Sequence, residues 1–196
     1  MRLAQKSAKN VCQVICFQCR FLRLGSIPLV YNPYPSLTSK RHNNIIVLVI
    51  ATFNEDGFLP PGIHWTDWPE FVQRFGLTTH RNKLIQGLVE SSQKLASAGC
   101  RAIYIDGSFV TSKEHPGDFD ACWDLNNVDV DNLDPIFFDF ANRRAAQKAR
   151  FFGEWFPADL PNGNSGLTFL EFFQLDKPTG KPKGIIAIAL AKGQKE

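Results

Sequence analysis

The sequence predicts a small α/β (α+β) protein, a mixed sheet covered by helices. Three observations lead there. Helical and strand-like patterns alternate through most of the chain, with no internal repeat and no low-complexity block. Apolar residues make up 44% and charged residues 21% of 196 residues, the balance of a chain that buries one ordinary core. The longest apolar run, Ile45 to Phe53, falls far short of the roughly 20 residues that span a bilayer.

Element by element, Ile45 to Thr52 is rich in β-branched residues and reads as a strand. Asn54 to Gly62, with its Pro-Pro-Gly, reads as an extended loop ending in a turn. Thr66 or Asp67 can cap a short helix through Phe75, with Pro69 in its first turn and Gly76 at its end. Thr79 to Ala98 is the clearest helix, because Leu84, Ile85, Leu88, Val89, Leu95 and Ala96 form one stripe and Gly99 stops it.

Arg101 to Asp106 is the next strand, with Ala102, Tyr104 and Asp106 on one face and Ile103 and Ile105 on the other. Gly107-Ser108 breaks it, and Asp118 to Leu125 forms the following strand. The alanines of Asp134 to Arg150 favour a helix. Phe151 to Phe156 is a strand ended by Pro157, Ser165 is placed to cap a helix through Leu175, and Gly184 to Leu190 makes a last strand.

The first 44 residues are different material. Residues 1–50 carry seven Lys or Arg and no Asp or Glu, whereas the remainder holds 15 basic against 19 acidic residues. The expectation is a basic, acid-free tail at 1–44 lying outside the fold, and one domain over 45–196. Gln13, Gln18, Arg20 and Arg23 interrupt what would be the apolar part of a secretory signal. An organellar leader and a start assigned too early remain alternatives. Cys12, Cys16 and Cys19 have the spacing of a three-thiolate iron–sulfur site, but that motif belongs in a barrel loop of a longer chain. Five cysteines without framework spacing exclude a disulfide scaffold, and Cys122 is expected in the core.

One segment carries chemistry: Tyr104-Ile-Asp-Gly-Ser-Phe-Val-Thr-Ser-Lys-Glu-His-Pro-Gly-Asp-Phe-Asp120. Gly107 lets a phosphate approach the backbone, and Ser108 adds an amide and a hydroxyl beside it. Asp118 and Asp120 are two apart on a strand, so their carboxylates share a face while Phe119 points into the core. Two such carboxylates repel each other unless a cation neutralises them, and hard oxygen ligands suit Mg²⁺ together with phosphate oxygens.

At these residues the chain resembles the polymerase-beta-like nucleotidyltransferase superfamily, whose signature is an apolar strand, Gly-Ser or Gly-Gly, a spacer, and Asp-x-Asp on the next strand. The likeness is nearest to small bacterial members such as kanamycin nucleotidyltransferase and the minimal nucleotidyltransferases of toxin–antitoxin pairs. Phe58-Leu-Pro-Pro-Gly-Ile-His64 and Ile105-Asp-Gly-Ser-Phe-Val-Thr111 also resemble uncharacterised bacterial proteins of this kind.

The resemblance implies Mg²⁺-dependent transfer of a nucleoside monophosphate from a nucleoside triphosphate to an acceptor hydroxyl, with release of pyrophosphate. Asp118 and Asp120 would hold metal, and Gly107 and Ser108 would bind the triphosphate. Lys113 could reach it too, as could Lys181 and Lys183. A third carboxylate would complete catalysis; Glu154 is the choice, with Asp159 and Glu171 as competitors. The acceptor is open among a small molecule, an RNA end and a protein side chain. His64, His80 and His115 have no ligand spacing, and the scattered basic residues of the body do not form a nucleic-acid groove. A cytoplasmic, non-membrane protein is expected. The rival from another class is a catalytically inactive interaction module, antitoxin-like or regulatory, which needs no third acid near Asp118 and Asp120.

Overall fold

In a computed structural model of the protein, residues 50–190 are described; the tail at 1–44 lies outside them. Five strands form one mixed sheet in the order β1-β5-β2-β3-β4. These are β1 (Gly62–Thr66), β2 (Ala102–Asp106), β3 (Phe119–Trp123), β4 (Gly153–Pro157) and β5 (Gly184–Ala189). Among the described residues four helices accompany them: α1 (Trp68–Phe75), α2 (Thr79–Ser97), α3 (Ala141–Phe151) and α4 (Phe169–Phe173). No helix among the described residues is long and apolar enough to cross a membrane.

The pairing brings the candidate residues to one end of the sheet. β2 runs antiparallel to both β3 and β5, β3 is parallel to β4, and β1 is parallel to β5. The end of β2 therefore lies beside the starts of the other four strands.

Alternation then divides the sheet into two faces. Ile103, Ile105, Phe119, Ala121, Trp123, Trp155, Ile186 and Ile188 belong to the main core, with Phe71, Phe75, Leu84, Leu88 and Leu95 from α1 and α2. Aromatic contacts knit this layer: Phe119 and Trp155 meet edge-on at 5.8 Å, and Phe137 stacks on Phe151 at 5.7 Å and meets Trp155 edge-on at 6.1 Å. On the opposite face Phe156 packs on Phe169 and Phe173 at 4.9 and 5.0 Å, so α4 covers that side. Cys122 is buried there, as expected, and burial pushes its thiol well up.

Helix ends follow local chemistry. Asp67, not Thr66, caps α1 by accepting from Glu70 N at 2.9 Å. Thr78 caps α2, accepting from Arg81 N at 3.1 Å. α2 and α3 approach closely at Gly87, where a Cβ would lie 1.9 Å from the Phe151 carbonyl oxygen. Gln147, fully buried in α3, accepts from Trp155 N at 2.8 Å and donates to Ile136 O at 2.9 Å, fixing α3 against β4.

Four expectations are corrected. The described part of the strand expected over Ile45 to Thr52, Ile50 onward, is not a strand; the Ile50 amide donates to Glu70 Oε1 at 2.5 Å instead of to a ladder. β1 begins at the end of the loop expected over Asn54 to Gly62 and runs through residues for which the sequence suggests no element, because its partner β5 is more than 100 residues away. The helix expected over Asp134 to Arg150 is two pieces. Asp134 caps a 3-10 turn, Pro135–Phe138, and α3 starts at Ala141. Inside α3, Asn142, Arg143 and Arg144 are left-handed, with φ of 47°, 55° and 57°. Finally, Ser165 caps no helix; Thr168 does, in a capping box with Glu171.

Candidate functional site

Cross-strand register places Asp106, Asp120 and Glu154 in one row across β2, β3 and β4, Asp106 opposite Asp120 and Asp120 opposite Glu154. Residues directly opposite share a face, so the three carboxylates lie side by side on the face away from the main core. Asp118, just before β3, joins them through Lys148, whose ammonium ion-pairs with Glu154 and lies 3.2 Å from Asp118 Oδ2. Arg144 Nη1 lies 3.7 Å from the other Glu154 oxygen, and its guanidinium stacks 3.8 Å over the Phe156 ring.

Gly107 is required where it stands. Its φ of 78° with ψ of −170° belongs to glycine alone, and a Cβ there would lie 2.5 Å from Asp120 Oδ2. The backbone thus turns directly against the central carboxylate. Ser108 opens the 3-10 turn Ser108–Val110; its carbonyl accepts from Thr111 Oγ1 at 2.8 Å, and its hydroxyl makes no hydrogen bond among the described residues.

Charge is balanced around the row everywhere except at its centre. Asp106 is buried and paired with Lys183, which also donates to Phe173 O at 2.7 Å. Burial raises the Asp106 carboxyl, and Lys183 and the Gly107 amide pull it back. Glu154 holds two cations. Asp120 has no hydrogen bond or ion pair among the described residues. Burial is the main cause that lifts it to about 6; Asp106, Asp118 and Glu154 add repulsion, and Lys177 opposes them.

The residues named from the sequence sort clearly. Gly107, Ser108, Asp118, Asp120 and Glu154 meet at one end of the sheet. Among the three acids considered as the third carboxylate, Glu154 is the one beside Asp120. Asp159 follows the far end of β4, and Glu171 is spent on the α4 cap. Lys113 is exposed and its contacts run through its backbone, the carbonyl accepting from Arg81 Nη2 at 2.6 Å. Lys181 is exposed in the turn before β5, and Lys183 is buried on Asp106. His64 and His80 bond Pro60 O and Pro116 O.

Several residues of the site escaped the sequence reading. Arg81 is buried, and its guanidinium reaches the carbonyls of Phe75, Phe109, Thr111 and Lys113, which sets the course of the loop after Gly107. Arg144 and Lys148 converge on Glu154. Arg144 stands in the left-handed stretch, so its place beside Lys148 is not the regular four-residue spacing of a helix. The Asp106–Lys183 pair has no regular spacing either.

The donor set suits a hard divalent cation. No three His, Cys, Asp or Glu side chains converge to hold a metal by themselves among the described residues. Mg²⁺ needs only one or two carboxylates when phosphate oxygens and water complete its shell. Asp118 and Asp120 could supply those two: Asp118 already pairs with an ammonium, and no donor among the described residues reaches the Asp120 oxygens.

Fold and site together define a mixed-sheet α/β protein with an acidic row at one end of the sheet, next to a glycine turn. Residues 51–189 match the family of unknown function DUF6932, and the chain belongs to that family. No curated protein and no solved structure matches it.

Proposed function

We propose that the protein is a Mg²⁺-dependent nucleotidyltransferase acting in the cytoplasm on a nucleoside triphosphate. The observation that carries this reading is the Asp120 carboxylate. It is half-buried, has no donor among the described residues, and lies against Gly107 on one side and opposite Glu154 on the other. A carboxylate so placed gains most from a cation that arrives with its own phosphate oxygens.

Asp118 and Asp120 hold the Mg²⁺, which when bound neutralises charge on the triphosphate oxygens. Gly107 lets the backbone turn against Asp120, and the Ser108 hydroxyl just beyond it donates to the phosphate chain. The acceptor oxygen attacks the α-phosphorus, the bond from that phosphorus to the bridging oxygen breaks, and pyrophosphate leaves. Glu154 orients the acceptor hydroxyl and takes its proton. Arg144 holds Glu154 in place, as Lys148 does before the nucleotide arrives. Positioning of this kind supplies most of the rate in phosphoryl and nucleotidyl transfer.

The inactive interaction module predicts no third acid beside Asp118 and Asp120, and the position of Glu154 weighs against it. An α-labelled nucleoside triphosphate tests the proposal, incubated with Mg²⁺ and fractions of small molecules, RNA and protein. Label should pass to one acceptor class, and Asp120→Asn should abolish this without lowering stability. Transfer that survives Asp120→Asn would remove the mechanism.

A further inference from the structure

We infer that Lys148 exchanges partners on ligand binding: its ammonium occupies the cation's place beside Asp118 until a Mg²⁺–triphosphate arrives, then moves to the phosphate chain. This rests on the nucleotidyl-transfer reading and adds a binding residue to it.

The geometry supplies the reasons. Lys148 is the cation that bridges Asp118 and Glu154, so it stands in for a metal on one of the two proposed ligands. An ammonium and a divalent cation repel each other and compete for the Asp118 oxygen. When Lys148 departs, Glu154 is not left bare, because Arg144 remains on its second oxygen. Asp118 passes to the metal, and the ammonium meets the negative phosphates, so the exchange strands no charge.

Mobility falls where the exchange needs it. The Lys148 side chain is 41% exposed on a flexible four-carbon stem, whereas that of Arg144 is 19% exposed and stacked on Phe156. Lys183 is buried on Asp106 and committed there. The backbone of α3 is held by Gln147, the residue before Lys148, so the movement belongs to the side chain alone.

The exchange predicts effects of opposite sign. Lys148→Met should tighten binding of Mn²⁺ alone by about fivefold, the scale of a surface ion pair removed. The same change should weaken Mg²⁺–ATP binding by about tenfold, the scale of one charge-assisted hydrogen bond lost. Lys148→Arg should restore ATP binding in part. Mn²⁺ resonance spectra and calorimetry read the two affinities, with Asp118→Asn/Asp120→Asn as the control.

If the double variant loses Mn²⁺ while Lys148→Met leaves Mn²⁺ affinity unchanged or weaker, the exchange is overturned and the nucleotidyl-transfer reading survives. If the double variant binds Mg²⁺–ATP as the parent does, or the parent binds no Mg²⁺–ATP, the reading fails and takes the exchange with it. Should Lys148→Met not fold, the ¹⁵N signal of the Lys148 ammonium in the unaltered protein serves instead. It should shift on adding Mg²⁺–ATP, and an unmoved signal overturns the exchange.

Discussion

The two faces of the sheet use the same strands for opposite purposes. On one, Phe119, Ala121 and Trp155 close a dry layer against α1, α2 and α3. On the other, one residue along each strand, Asp106, Asp120 and Glu154 form an acidic row. The packed face fixes the backbone on which the row is strung. The row itself gathers like charges that cost stability, and Asp120 is left without a partner among the described residues. A chain selected only to fold would not keep that arrangement, so the difference between the faces is the argument for a ligand.

Breaking the packed face should have the largest effect. Trp155 is fully buried between Phe119 and Phe137, and Trp155→Ala should cost about 3–5 kcal/mol, read by urea unfolding. Gly107→Ala should come next. It places a Cβ against Asp120 at a φ that side chains avoid, at a cost of about 1–3 kcal/mol. Because it displaces the central carboxylate, Mg²⁺–nucleotide binding should vanish along with the lost stability.

Asp120→Asn should go the other way. Its carboxyl keeps a proton to about pH 6 in the folded protein but releases it near 3.8 when unfolded. Between those values the native state binds more protons, so this group lowers stability as pH rises. The neutral amide should therefore gain about 1–3 kcal/mol at pH 7 and nothing below the unfolded value. A gain that persists unchanged at pH 3 would contradict the assignment. The smallest effect belongs to Ser108→Ala, within about 0.5 kcal/mol in stability but with weaker triphosphate binding by calorimetry.

How much of this was legible in the sequence differs between the same two regions. The long stripe of α2, the β2 alternation and the Gly107-Ser108 break are local patterns, and each stands where expected. Asp118 and Asp120 are two apart, and although β3 begins only at Phe119 both stand at the expected end of the sheet; Glu154 was chosen as the acid that follows Gly153 in the strand after the Ala-rich helix. What escaped depends on distance along the chain. β1 is recognisable only once β5 lies beside it, and Lys183 meets Asp106 across 77 residues. The break before α3 goes with Asp139, whose side chain accepts from the Ala141 amide that a continuous helix would have bonded to the Phe137 carbonyl. Lys113 is a related case. Its backbone is drawn to Arg81, 32 residues earlier, and a spacer lysine read in isolation looks merely available.

The central claim is that Asp118 and Asp120 take a cation together with a nucleotide. The most direct test is calorimetric titration of a nucleoside triphosphate into the full chain with and without Mg²⁺, repeated with Asp118→Asn/Asp120→Asn. The account predicts binding that requires Mg²⁺ in the parent protein and is lost in the double variant, while the variant unfolds as cooperatively as the parent. Binding indifferent to both Mg²⁺ and the two aspartates, or no binding at all, would contradict it.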